Sequence, residues 1–92
     1  MFNIKGFEWD NNNVWKPLRH GVGLEEVEEV FYNGPLVKKS RSGRYLALGQ
    51  TDAGRYITVV FEIKAGSIIR PITARNMDYS EKRLYTKRKG LK

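Results

Sequence analysis

The 92-residue chain has no cysteine, which excludes a disulfide scaffold, a paired-cysteine zinc site and a thiol nucleophile. Such a chain sits easily in a reducing compartment. It has one histidine, His20, so a multi-histidine metal site is impossible, and the expected set of metals and cofactors is none. No apolar run approaches the ~20 residues that a membrane span needs. Met1 leads into Phe-Asn-Ile-Lys-Gly rather than into a signal peptide, so the expectation is a cytoplasmic protein with no membrane partner. Phosphate-cradling and dinucleotide-binding glycine fingerprints are also missing. Acidic residues are the scarcer charge, 10 against 17 basic, for a net +7. Against these absences stand 40% hydrophobic residues and 12% aromatics, enough to bury one modest core. Residues 1–92 are expected to form a single domain.

The charge is unevenly placed. Residues 1–33 carry three basic and six acidic side chains and sum to −3; residues 34–92 carry fourteen basic and four acidic and sum to +10. That asymmetry points to a polyanion partner for the second part, nucleic acid first among them, although solvated strands and a solvated helix would show the same charge.

Periodicity predicts an α+β layout. Ile4–Asp10 reads as a strand in which Phe7 and Trp9 alternate with Glu8 and Asp10. Asn11-Asn12-Asn13 favours turns and caps, and Val14–His20 reads as a short helix in which Pro17 is tolerated only in the first turn. Leu24, Val27 and Phe31 mark one face of a helix over Gly23–Tyr32, and Glu25, Glu26, Glu28 and Glu29 read as its solvated face. Short strands follow at Leu36–Lys39, Arg44–Gly49, Arg55–Ile63 and Ile68–Ala74, separated by glycine-bearing turns. Tyr56–Phe61 is apolar on both faces apart from Thr58, as in a central strand. Pro71 requires an edge or an outward-facing position. A last helix over Asp78–Lys89, with Ser80 as its cap, carries a basic tail over 87–92 that is expected to fray.

The chemistry within reach is that of phosphate. Arg44, Arg55 and Arg75 stand at strand starts and ends, and arginine pairs bidentately with a phosphodiester and stabilises a transition state with added charge. An RNA 2′-hydroxyl nucleophile needs only a base and an acid, for which Glu62, His20 and Tyr85 are the candidates. Tyr45, Tyr56 and Tyr85 offer rings for unpaired bases. Taken singly, each of these residues is equally at home in a surface ion pair or in the core.

The order of motifs resembles the BrnT family of toxins. The likeness runs through Phe7-Glu8-Trp9-Asp10, Arg19-His20-Gly21-Val22 and Glu25-Glu26-Val27-Glu28-Glu29-Val30-Phe31. It continues through Arg44-Tyr45-Leu46-Ala47-Leu48-Gly49-Gln50-Thr51, Gly54-Arg55, Val59-Val60-Phe61, Ile69-Arg70, Ile72-Thr73-Ala74-Arg75 and Glu81-Lys82-Arg83-Leu84-Tyr85. The resemblance spans roughly residues 5–86 and departs from the family pattern at Pro17 and Pro71. It implies a RelE-like α+β fold, an antiparallel β-sheet of about four strands plus an N-terminal strand, flanked by two N-terminal helices and one C-terminal helix. It further implies the toxin of a type II toxin–antitoxin system, a metal-independent endoribonuclease that inhibits translation. The implied partners are an RNA substrate, a BrnA-type ribbon-helix-helix antitoxin, and operator DNA only through the antitoxin complex. Carried over by position, Arg44, Arg55, Arg75, Glu62 and Tyr85 are the implied catalytic residues. Arg83, Arg70, Tyr45 and Tyr56 are implied to hold RNA, and His20 to be either catalytic or a structural helix-end residue. An RNA- or antitoxin-binding module of the same fold that has lost cleavage is the alternative.

Overall fold

A computed structural model describes residues 3–90. They form β1 (Gly6–Phe7), α1 (Trp15–Arg19), α2 (Leu24–Tyr32), β2 (Leu36–Lys39), β3 (Tyr45–Gln50), β4 (Tyr56–Lys64), β5 (Ile68–Asn76) and α3 (Tyr79–Arg88). The sheet order is β1-β5-β4-β3-β2, so β4, the apolar run, is central. Strands β2 to β5 make an antiparallel meander, but β1 pairs with β5 in parallel, and the expectation of an antiparallel sheet is corrected to a mixed one. The cause is the path of the chain. Helices α1 and α2 carry it from β1 to the far edge, as a crossover must, and the meander then returns β5 alongside β1.

Strand β1 is also far shorter than the expected Ile4–Asp10. Its ladder extends only to Glu8 N, which donates to Ile69 O at 2.8 Å. The chain then turns because Asn12 N donates to Asp10 Oδ1 (2.8 Å), an Asx-turn. Asn13 is buried here. Its amide nitrogen donates to Glu8 O (2.9 Å) and Pro71 O (2.7 Å), and its Oδ1 accepts from Asp10 N (2.7 Å). Pro71 is thus accommodated as expected. Its carbonyl faces outward, beyond the end of β1, and its missing N–H lies on that same side. A register shift between Val60 and Phe61, which leaves Ile72 as the extra residue of β5, accompanies it. Pro17 sits in the first turn of α1, and α1 ends a residue short of the expected His20, which is its C-cap.

One face of the sheet is the core face. Val27, Val30 and Phe31 of α2 bury against Ala47, Ile57, Val59, Phe61, Ile69 and Ala74, and Val22 joins them from the loop between α1 and α2. The rings of Phe7, Phe31 and Phe61 pack edge to face in series, with centroids 5.5 and 4.9 Å apart. Helix α2 approaches so closely at Gly49 that a Cβ there would lie 2.9 Å from Val30 Cγ1 and 3.3 Å from Val30 O.

The register puts Leu46, Leu48, Gln50, Tyr56, Thr58, Val60, Glu62, Arg70, Thr73 and Arg75 on the opposite face. Helix α3 covers one end of it, burying Tyr85, and Leu46, Val60 and Thr73 stay part-exposed. The α3 cap is Asp78 rather than the expected Ser80: Asp78 Oδ1 accepts from Glu81 N (2.8 Å), and Glu81 Oε1 accepts from Asp78 N (3.0 Å), a reciprocal capping box. Lys87 and Arg88, expected to fray, belong to the helix, and Lys89 N is bonded to Tyr85 O; Leu91 and Lys92 lie outside the described residues.

Candidate functional site

The arginines at strand ends fall into three separate constellations. The first lies on the core face at the start of β4. Arg55 Nη1 donates to Gly21 O (2.9 Å) and to both carboxylate oxygens of Glu26 (3.0 and 2.8 Å), and Nη2 donates to Asn76 Oδ1 (3.2 Å). Glu26 also accepts from Gly23 N at 3.0 Å. That backbone bond, followed by Arg55, holds its carboxyl below the ordinary range against the opposing effect of burial. The cluster clasps the loop that joins α1 to α2, where Gly21 takes a positive φ of 75°. His20 is exposed on that loop, beside the Gly21 carbonyl that Arg55 grips. Glu28 and Glu29, read from sequence as a solvated face, are likewise engaged: Trp9 Nε1 donates to Glu28 (2.8 Å) and Asp52 N to Glu29 (3.0 Å).

The second constellation lies on the opposite face under α3. Arg75 makes a bidentate pair with Glu81, Nη1 to Oε1 at 2.7 Å and Nη2 to Oε2 at 2.8 Å, and Thr58 Oγ1 donates to Glu81 Oε1 at 2.9 Å. Burial pushes the Glu81 carboxyl up, but the bonds from Arg75, the Asp78 amide and Thr58 outweigh it and hold the group below its ordinary value. Tyr85 beside it is buried, donates to Gln50 Oε1 at 3.4 Å, and meets Tyr56 edge-on with centroids 5.9 Å apart. Burial, and secondarily Tyr56, raises the Tyr85 phenol, so it stays protonated at neutral pH and can donate but not act as a base. Lys82 Nζ sits 4.5 Å over the Tyr56 ring.

The third lies on that same face at its uncovered end. Glu62 accepts from Lys64 Nζ at 3.1 Å and from Arg44 Nε at 3.5 Å, and the Lys64 bond chiefly, against desolvation, holds its carboxyl below the ordinary range. Arg44 lies one residue before β3 rather than within it as expected, and is exposed. Arg70 sits directly opposite Glu62 in the ladder but turns to the N-terminal segment, bonding Glu8 Oε1 (3.0 Å) and Asp10 (2.9 and 3.3 Å). Tyr45 stacks on Phe61 at 5.6 Å and packs against the core.

The five expected catalytic residues therefore do not share one centre. Arg55 faces away from the other four. Along β4, Thr58, which neighbours Arg75, and Glu62 are four residues apart, ~13 Å at the usual strand rise.

A family model described as the ribonuclease toxin BrnT of a type II toxin–antitoxin system matches residues 9–81. The chain belongs to the BrnT family. It is also similar to the 1.1 Å crystal structure of the Brucella abortus ribonuclease toxin BrnT, with a TM-score of 0.66 at 20% identity over 79% of this chain and 96% of that one, a likeness of fold. No curated protein sequence matches the chain. This member of the BrnT family is thus the toxin of a type II toxin–antitoxin system, for which an antitoxin partner is expected. Among the described residues no helix is long and apolar enough to cross a membrane, and no three His, Cys, Asp or Glu side chains converge on a metal-sized site.

Two features of this BrnT chain escape a reading by residue type. Glu81 is the hub of the Arg75 cluster, and the spacing Asp78-x-x-Glu81 before a helix is the capping-box signal that reveals it. The other is which cations are unpaired. Arg44, Arg55, Arg70 and Arg75 all hold carboxylates, whereas Lys82, Arg83, Lys87 and Arg88 of α3 and Lys38, Lys39 and Arg41 around β2 form no ion pair among the described residues.

Proposed function

We propose that this BrnT family toxin cleaves RNA without a metal ion and so inhibits translation, with the RNA lying on the sheet face opposite α1 and α2. The observation that carries this reading is the one-sided cover of the sheet. The face left open carries Glu62, Arg44 and Lys64 at one end, and the unpaired cations of α3 border its other end. Glu62 is ionised at neutral pH and is the base that takes the proton of a 2′-hydroxyl. Arg44 stabilises the charge of the pentavalent phosphorus, and the Lys64 ammonium, paired to the same carboxylate, gives a proton to the leaving oxygen. Arg75, ~13 Å along the face, binds a neighbouring phosphate. Arg55 and His20, on the other face, are positioning residues of the α1–α2 loop. Tyr85 anchors α3. The basic surface is the one a BrnA-type ribbon-helix-helix antitoxin would cover in the cytoplasm, with operator DNA reached through that complex. A RelE-like layout, as the motifs imply, is part of this reading.

The test is cleavage of RNA by the purified chain in EDTA and in magnesium. Equal cleavage in both is expected, with a loss of at least ~100-fold in Glu62→Gln and Arg44→Ala and near-normal rates in Arg55→Ala. Full activity in Glu62→Gln removes that centre. RNA that is bound yet left intact by the unmodified chain selects the binding-module alternative, which the occupied arginines favour.

A further inference from the structure

The three tyrosines that sequence marks as base-stacking rings are all engaged. Tyr45 lies on Phe61, Tyr56 is pinned between the edge of Tyr85 and the Lys82 ammonium, and Tyr85 is buried. A different ring is open to solvent. Tyr79, the first residue of α3, is 78% exposed, the most exposed of the large apolar side chains among the described residues, and packs in no core cluster. Its position is fixed rather than frayed, because the Asp78–Glu81 capping box and the Glu81–Arg75 pair lock the turn that bears it. One turn on, the guanidinium of Arg83 lies 5.8 Å from the centre of the Tyr79 ring, and no carboxylate among the described residues neutralises it. Tyr79, Arg83, Lys82 and Thr86 line an open cleft of about 320 Å³. On the other flank of the same helix, Arg83, Lys87, Ser80 and Leu84 line a second.

We propose that Tyr79 is the stacking platform for an unpaired base of the RNA, with Arg83 on the ring and Lys82 and Lys87 taking the flanking phosphates. This rests on the RNA-cleaving reading above and adds to it a base-holding subsite about one helix diameter, ~10 Å, from Arg75 across α3. An exposed tyrosine on a fixed backbone turn, beside an uncompensated guanidinium, matches a nucleobase. The ring stacks on the π-face that every base offers, and the cations meet the backbone that joins successive bases. Stacking of this kind tolerates any sequence, so the subsite holds RNA in place without choosing the cleavage site. It also requires single-stranded RNA, because a base within a duplex has both faces occupied.

The experiment is binding of a short single-stranded oligoribonucleotide carrying 2-aminopurine, whose fluorescence is quenched on stacking, with cleavage of a longer RNA measured alongside. The unmodified chain and Tyr79→Phe should quench the probe and bind it equally. Tyr79→Ala and Tyr79→Leu should bind ~5- to 100-fold more weakly, the range for one stacked base, without quenching and with an unchanged unfolding transition. In cleavage, Tyr79→Ala should raise KM and spare kcat, which separates a holding role from a chemical one. Equal binding and quenching in Tyr79→Ala overturns the proposal even if the chain cleaves RNA as proposed. A chain that quenches and binds through Tyr79 but does not cleave upholds the subsite while the cleavage reading fails. Loss of antitoxin binding in Tyr79→Ala with RNA binding intact assigns the ring to a protein contact and also overturns it.

Discussion

Among the described residues, arginine is paired on both faces of the sheet and unpaired on the outer surface of helix α3. On the side of α1 and α2, Arg55 is spent on structure, with four hydrogen bonds that fasten the α1–α2 loop, the start of α2 and the end of β5 to the start of β4. Phenylalanines and branched side chains fill the space below it. On the other side, among the described residues, one helix, α3, covers part of the strands. The cations on the outer surface of that helix pair with no carboxylate among the described residues. The same residue type is a strut against the sheet and an open charge on the outer surface of α3. The net charge of a chain thus says less about where a polyanion docks than does the supply of carboxylates near each cation.

Adjacent residues of β4 offer the sharpest way to break this contrast. Phe61→Ala, on the filled face, should lower stability by about 3–5 kcal/mol, the range for a buried phenylalanine. Val60→Ala, one residue away on the open face, should cost ~1 kcal/mol or less, because part of its surface is already in water. Urea unfolding of both variants measures the difference, and equal losses would mean that the second face is as well packed as the first.

Acid provides a smaller effect that both faces share. Asp10, Glu26, Glu62 and Glu81 are each held below their ordinary values, 3.8 for the aspartate and 4.5 for the glutamates. The unfolded chain therefore binds more protons through this range. The stability that these groups contribute is present above pH 4.5 and is lost as pH falls through their lowered folded values. Thermal unfolding followed from pH 7 to pH 3 should show a flat midpoint and then a decline, shallower in Glu26→Gln and in Glu81→Gln. A midpoint that stays level to pH 3 would contradict the pairing described for both faces.

The smallest effect is in salt dependence. If Lys82 and Lys87 meet RNA phosphates, each change to alanine should reduce the slope of log affinity against log salt by ~0.7 for a single strand, with no change in unfolding for Lys87→Ala. Arg55→Ala should leave that slope as it is. Fluorescence anisotropy of a labelled oligoribonucleotide between 50 and 300 mM salt, on the order of the range where such slopes are read, checks both.

Much of this architecture is legible in the chain because local chemistry and burial agree. The 3.6-residue spacing of Val27 and Phe31 and the two-faced apolar run of Tyr56–Phe61 identify α2 and the central strand, and Pro71 points to an outward-facing site. What sequence conceals is set by distant partners. The parallel pairing of β1 depends on where β5 returns, 62 positions later in the bond from Arg70 to Glu8. Asn13 reads as one of three turn-forming asparagines, yet it alone is buried, since only its side chain meets the Pro71 carbonyl. The candidate site is less legible still. Arg44, Arg55 and Arg75 look equivalent at strand ends, and only the register shows that Arg55 points away from the other two. Strand parity predicts opposite faces for Arg55 and Arg75 only once the residue pairing between β4 and β5 is known.

The buried amide of Asn13 also bears on how such a toxin comes into being. Its bond to Pro71 closes a loop of 58 residues, and β1 has no strand to join until β5 exists. Closing so long a loop is entropically costly, by a term of about (3/2)RT ln n. Contacts that distant form late rather than early in folding. In a nascent chain the β1–β5 pairing thus waits until more than three-quarters of the chain has been made, and until then β1 has only α2 to pack against. The first strand of the chain is the last to find its place in the sheet.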